Sequence, residues 1–168
     1  DYEKSYYWFN KAVEQGDIQS MGALGHLYRK GKGVPKDVEK ALNLYKKAAD
    51  KGDANAQYSL AVEYYNRYIE SNVPEDFEKA LEFFKKGVEQ GYDQAQYSFA
   101  KLLDESNLDN NAETNVQAIM YYGLSAEQGN IDAQFRLGEM HLYGTPERGV
   151  KKSFKIAAQL MIMSIAPN

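Results

Sequence analysis

Residues 41–64 read ALNLYKKAADKGDANAQYSLAVEY, and the reading of this stretch decides the fold. After Gly52, the residues Ala56, Leu60, Ala61 and Tyr64 fall at i, i+4, i+5 and i+8. At 3.6 residues per turn they share one face, which predicts a helix over roughly 54–67. Before Gly52, small Ala41 and the large pair Leu44-Tyr45 supply a close contact and a groove filler for a preceding helix. Gly52 itself suits the left-handed position that ends a helix, and Asp53 is a capping candidate for the next.

Outward from this stretch the same columns recur. Glycines at 16, 52, 91 and 129 stand 36, 39 and 38 residues apart. Eleven residues before each is a small residue: Ser5, Ala41, Ala80 and Ala118. Four after each is another: Ser20, Ala56, Ala95 and Ala133. Eight after comes Leu24, Leu60, Phe99 or Leu137, followed by Gly25, Ala61, Ala100 or Gly138. From each glycine to the next small residue the count varies, at 25, 28, 27 and 28, ending on Ala157. Length variation is thus confined to one connector of each repeat, as stacked helical hairpins with a tight corner and a loose outer loop require. We term the helix after each glycine A and the helix before it B. Helix B of the following copy is expected over roughly 76–90, with Ala80, Phe83, Phe84, Gly87 and Val88 on one face. The large slots Trp8-Phe9, Leu44-Tyr45, Phe83-Phe84 and Tyr121-Tyr122 fill the space beside the small columns. Outer connectors carry turn residues at 31–35, 71–74, the Asn-rich 106–115 and 144–146.

Composition narrows the function classes. The 168 residues include 20 basic and 24 acidic ones, a net charge of −4, which disfavours nucleic acid as a partner. The absence of cysteine excludes disulfides, thiolate metal sites and a cysteine nucleophile. The longest largely apolar stretch, 156–166, is too short to span a bilayer, and no export leader opens the chain.

The segment 41–64, with the Gly31-Lys32-Gly33-Val34-Pro35 loop and the helix starts at 1–5, 36–41 and 76–80, resembles the Sel1-like repeat, a longer relative of the tetratricopeptide repeat. The resemblance covers essentially the whole chain. The departures are the third outer loop, which lacks the glycines, and Leu103 and His141 in place of Tyr28 and Tyr64. The resemblance implies an all-α, right-handed αα superhelix of stacked antiparallel helix pairs, about nine helices in one domain over 1–168. Residues 1–15 are then helix B of a preceding repeat, and full repeats fall at about 17–51, 53–90, 92–128 and 130–166, with Asn168 in the last glycine slot. A helices are expected to line the concave groove.

Catalytic chemistry finds no foothold. His26 and His141 lie in different repeats with no carboxylate at ligand spacing, so no metal site is expected. Gly31-Lys32-Gly33 lacks the preceding strand and the Gly-Lys-Ser/Thr ending of a phosphate loop. Asp37/Glu39 and Asp76/Glu78 recur in register at helix starts, where they favour the positive end of the helix dipole.

Binding is therefore the expected function, without cofactor, for a protein or peptide partner. The A-helix positions left outside the core read Gln19, Ala23, His26, Lys30; Asn55, Ser59, Val62, Asn66; Gln94, Ser98, Lys101, Glu105; Asp132, Arg136, Glu139, Tyr143. Unlike the core columns they differ from copy to copy. The partner-binding set expected is Asn55, Ser59, Tyr65, Asn66, Gln94, Ser98, Lys101, Asp132, Arg136 and Glu139, with Tyr65 and Tyr68 as aromatic anchors. By resemblance the chain is a non-catalytic adaptor, and a bacterial one would be exported or periplasmic. Two alternatives stand beside it. One is self-assembly, including a homodimer, through uncapped apolar ends such as 160–165. The other is a small-ligand binder or hydrolase related to cysteine-rich Sel1-like proteins, whose cysteine pairs are absent here.

Overall fold

The computed structural model describes residues 1–105, 112–146 and 149–165. Among them are nine helices: α1 (Tyr2–Glu14), α2 (Ile18–Lys30), α3 (Val38–Ala49), α4 (Ala54–Ser71), α5 (Pro74–Glu89), α6 (Asp93–Glu105), α7 (Ala112–Glu127), α8 (Ile131–Tyr143) and α9 (Phe154–Ile165). A single bridge, Thr145 to Val150, is the only β pairing among the described residues. The class is the all-α repeat expected. Odd-numbered helices are the B members and even-numbered ones the A members.

All four corners from B to A share a left-handed glycine, and three of them, at Gly16, Gly52 and Gly129, share a cap as well. Gly16, Gly52, Gly91 and Gly129 all have positive φ, from 74° to 91°, where a side chain would be strained. The residue after the glycine turns the chain back: Asp17 N–H donates to the Ala12 carbonyl, Asp53 to Ala48 and Asn130 to Ser125, at 3.0–3.1 Å. The side chains of Asp17, Asp53 and Asn130 then accept from the N–H of Ser20, Ala56 and Ala133, at 2.7, 2.7 and 3.0 Å. One residue thus ends a helix and starts the next.

The chain forms two compact units, Asp1–Gly87 and Val88–Asn168. In the first, α2 packs on both α1 and α3, and α3 on α4. Its core is Met21, Ala41, Tyr45, Ala48, Ala49, Ala56 and Leu60. In the second, α7 packs on α6 and α8, and α8 on α9. That core is Ala100, Tyr122, Ala126, Ala133, Leu137, Met140 and Val150. The small columns lie where helices touch: Ala41, Ala56, Ala80, Ala95 and Ala133 are fully buried, and Ala118 nearly so. Ser5 and Ser20 are half-buried.

Some expectations shift. Helix α4 runs one turn past Arg67, ending where Asn72 adopts a left-handed φ of 53°. Helix α5 begins at Pro74, whose missing N–H costs nothing in the first turn, so Asp76 lies inside the helix. Of the large slots, Tyr45, Phe84 and Tyr122 are buried, but Trp8 is 65% exposed. It stacks edge-on against Tyr7 on the outer side of α1 and fills no groove. Most of the Asn-rich connector, the end of the last repeat at Ala166 and the Asn168 slot lie outside the described residues.

Candidate functional site

The A-helix stripe is best followed within each unit. In the first, α2 and α4 line a cleft of about 520 Å³. Its walls include Gln19, Ala23 and His26 from α2 and Asn55 and Ser59 from α4, with Phe9 of α1 closing one side. Five stripe positions from two consecutive copies therefore meet in one place. A second cleft, of about 550 Å³, lies between the C-terminal end of α2 and the later turns of α4. It joins Lys30 to Asn66 and adds Arg29, Lys36, Glu63 and Arg67. Tyr65 lines neither cleft: its ring lies 6.4 Å from Tyr68, which in turn packs on Phe77 at 4.9 Å.

In the second unit, Gln94, Lys101 and Asp132 are exposed, while Ser98, Arg136 and Glu139 are half-buried. Lys101 Nζ lies 3.7 Å from Glu105 one turn on. Arg136 is tied down: its Nε and Nη2 donate to Asp104 Oδ2 at 3.2 and 2.7 Å, and its Nη1 lies 3.5 Å from Glu139. Asp104 retains 2% of its side-chain exposure. This guanidinium is held by α6 and works as a tie between successive A helices.

The first unit carries a matching tie, absent from the expected set. Arg29 Nε donates to Glu63, so α2 is joined to α4 as α8 is to α6. Beneath each pair sits a buried B-helix tyrosine seven residues before its corner glycine. Burial pushes the Tyr45 phenol up to about 12, an effect the positive charge of Arg29 opposes. Tyr122 is raised also, again chiefly by burial and against the pull of Arg136. Its hydroxyl donates to Asp104 Oδ2 at 3.4 Å. Burial in a poorly solvated spot favours the neutral form of both phenols.

A second missed set is Gln57, Gln96 and Gln134, five residues past their glycines and 4–5% exposed. Gln134 Nε2 donates to the Ala126 carbonyl at 3.1 Å and Gln57 Nε2 to Ala49 at 3.4 Å. These two satisfy carbonyls in the last turn of the preceding helix, the orphans every helix end leaves, while Gln96 Oε1 accepts from Gln128 Nε2 at 2.8 Å. Recurrence at one column was the signal available for them. The ion pairs offered only a weak one, since Arg29 and Asp104 share the position thirteen past glycine with opposite charge.

The chemistry of the remaining candidates is modest. His26 is held below its ordinary value, first by desolvation and then by the positive charges of Lys30, Lys32 and Arg29. His141 Nδ1 lies 3.2 Å from the Lys151 carbonyl. Among the described residues no three His, Cys, Asp or Glu side chains stand close enough to hold a metal ion. The Gly31-Lys32-Gly33 turn seats on α1: a Cβ on Gly33 would stand 2.5 Å from the Tyr2 carbonyl. No described helix is long and apolar enough to cross a membrane.

The Sel1 repeat model matches residues 1–17, 18–53, 54–92, 115–130 and 131–166. A Sel1 repeat protein from Oxalobacter formigenes superposes with a TM-score of 0.76 at 25% identity, over 96% of this chain and 61% of that one. A protective antigen of uropathogenic Escherichia coli with an SLR fold gives 0.56 at 25% identity, over 97% and 41%. An immunity protein from Pseudomonas aeruginosa gives 0.51 at 25% identity, over 95% and 73%. The chain spans about three-fifths of the first of these proteins and two-fifths of the second.

Proposed function

Since the chain belongs to the Sel1 repeat family, a helical-repeat fold that generally mediates protein–protein interaction, we propose that it is a non-catalytic scaffold holding a peptide or protein segment against its A helices. The observation that carries this reading is the α2–α4 cleft, where stripe positions of two copies converge on a frame whose structural columns are buried. The expected contacts are Asn55 and Ser59 there, Asn66 in the adjoining cleft, and Gln94, Ser98, Lys101 and Asp132 on the second unit. Arg136 and Glu139 contribute at most their outward edges, because Arg136 is engaged with Asp104.

The test is affinity capture with the wild-type chain and with a His26→Glu/Asn55→Arg variant, both positions being exposed. Loss of the wild-type partner at unchanged thermal stability supports the cleft. Retention of the same partner with the same affinity overturns it.

Self-association is the second reading, favoured by α9, where Phe154, Ile162 and Ile165 are 64, 62 and 78% exposed. Sedimentation equilibrium checks it: a concentration-dependent dimer that Ile162→Glu abolishes supports this reading, and a monomer at all concentrations removes it.

A further inference from the structure

The second cleft is lined in part by a run of basic residues. Residues 29–36 carry Arg29, Lys30, Lys32 and Lys36 with no acidic residue among them, in a chain whose net charge is −4. Three of these, with Arg67 of α4, line the cleft against Glu63 and Glu70. Arg29 is paired with Glu63 and Arg67 with Glu39, so the positive side of the cleft is carried by Lys30 at the end of α2 and Lys36 in the following loop, with Glu70 also in the lining. The field of the basic run is felt nearby: Lys30, Lys32 and Arg29 all help to hold His26 below its ordinary value.

The positive side is not a phosphate cradle. Lys32 N–H donates to Leu27 and Gly31 N–H to Tyr28, so the turn's backbone donors are spent on closing α2. Gly33 is pressed against Tyr2, and Lys32 lies over the Tyr2 ring at 4.9 Å. What lines the cleft is two lysine ammoniums on different segments, Lys30 at the end of α2 and Lys36 in the loop after it. Ammoniums carried on separate segments suit carboxylates distributed along a chain better than one compact dianion.

Building on the scaffold reading above, we infer that this cleft takes an acidic stretch of the bound segment, with glutamate or aspartate side chains laid against Lys30 and Lys36. The neighbouring α2–α4 cleft, lined by Ala23, Ser59 and Phe9, then receives the smaller, less charged part of the same segment. Attraction at the first site steers the approach and sets the direction in which the segment lies.

The experiment selects a random displayed peptide library on the 168-residue protein, then measures the enriched peptides by fluorescence anisotropy. Peptides rich in Asp and Glu are expected. Their affinity should fall on the order of tenfold in a Lys30→Glu/Lys36→Glu variant, since two exposed attractions become repulsions. It should also weaken steadily as salt rises to about 0.5 M. Amide shifts on binding should cluster at 29–36 and 63–70. Enriched peptides that are neutral or basic would overturn the acidic assignment and leave the scaffold reading standing. So would acidic peptides indifferent to the double variant, or an RNA oligomer of equal charge binding as tightly. No enrichment over an unrelated helical protein would count against both.

Discussion

Two glycines on α2, three residues apart, face different fates. Gly25 is buried, and a Cβ there would stand 2.7 and 2.9 Å from the Tyr45 ring and 3.3 Å from the Ala41 carbonyl. Tyr45 is a core side chain 1% exposed and has nowhere to retreat. Gly25→Ala is therefore expected to lower stability by roughly 1–3 kcal/mol, the usual cost of overpacking. Gly22 is the control: its nearest neighbour would be Asp53 Oδ1 at an ordinary 3.9 Å. Gly22→Ala should raise stability by up to about 1 kcal/mol, the helix-propensity gain. Denaturant midpoints of the two variants should move in opposite directions, and movement in the same direction would remove the distinction. The small column was legible at Gly25 because it recurs as Ala61, Ala100 and Gly138. Trp8 misled because its column is large and apolar elsewhere, yet here the ring has Tyr7 beside it on the outside of α1.

At the level of elements, corners and ties obey different logic. Corners are made of local chemistry, a glycine and a capping side chain, so they can be read directly from the chain. Asp53→Ala should cost about 1 kcal/mol by leaving the Ala56 N–H without its side-chain acceptor. Ala56→Leu or Ala95→Leu, at fully buried contact points, should cost roughly 1–3 kcal/mol. Unchanged melting in either case would show that the helices do not meet there. The ties are non-local, joining residues 32 and 34 positions apart; they share one column, thirteen past glycine, with the charge reversed, and differ in the other. No periodic pattern could reveal them. Arg136→Leu leaves the Asp104 carboxylate, 2% exposed, without its cation. The loss should approach the lower end of about 3–5 kcal/mol, since solvent reaches the guanidinium. A double variant with Asp104→Leu should recover much of it. Recovery failing while both variants remain helical would show that the carboxylate has other roles. The extra turn of α4 was equally hidden, for it depends on Asn72 adopting a left-handed φ that asparagine tolerates without demanding.

Across the whole chain, charge is unevenly spread. Residues 1–87 hold 14 basic and 14 acidic residues, and residues 88–168 hold 6 and 10. All of the net negative charge thus belongs to the second unit, and the positive cleft to the neutral first one. Both units share the buried tyrosine, which gives the molecule an alkaline weak point. Tyr45 has its folded value raised to about 12 from an ordinary 10. The stability this reflects is fully present below pH 10 and is lost as pH climbs through about 12, because the unfolded chain releases its proton first. The denaturant midpoint should therefore fall over that window, and Tyr45→Phe should flatten part of the fall. An unaltered slope in the variant would mean that the phenol is not the group responsible. Nothing in the period of the chain announced this, since the repeat dictates a large ring at that column and leaves open whether it carries a hydroxyl.

The B-to-A corner also bears on how such a molecule could be rebuilt. Its hydrogen bonds reach back from Asp53 to Ala48 and forward to Ala56, so a cut at the glycine would sever the joint. The outer connectors, already of unequal length, are the natural seams. A hybrid exchanging modules at residues 72–73 would carry each corner over whole, letting recognition surfaces be recombined while the joints that align them travel intact.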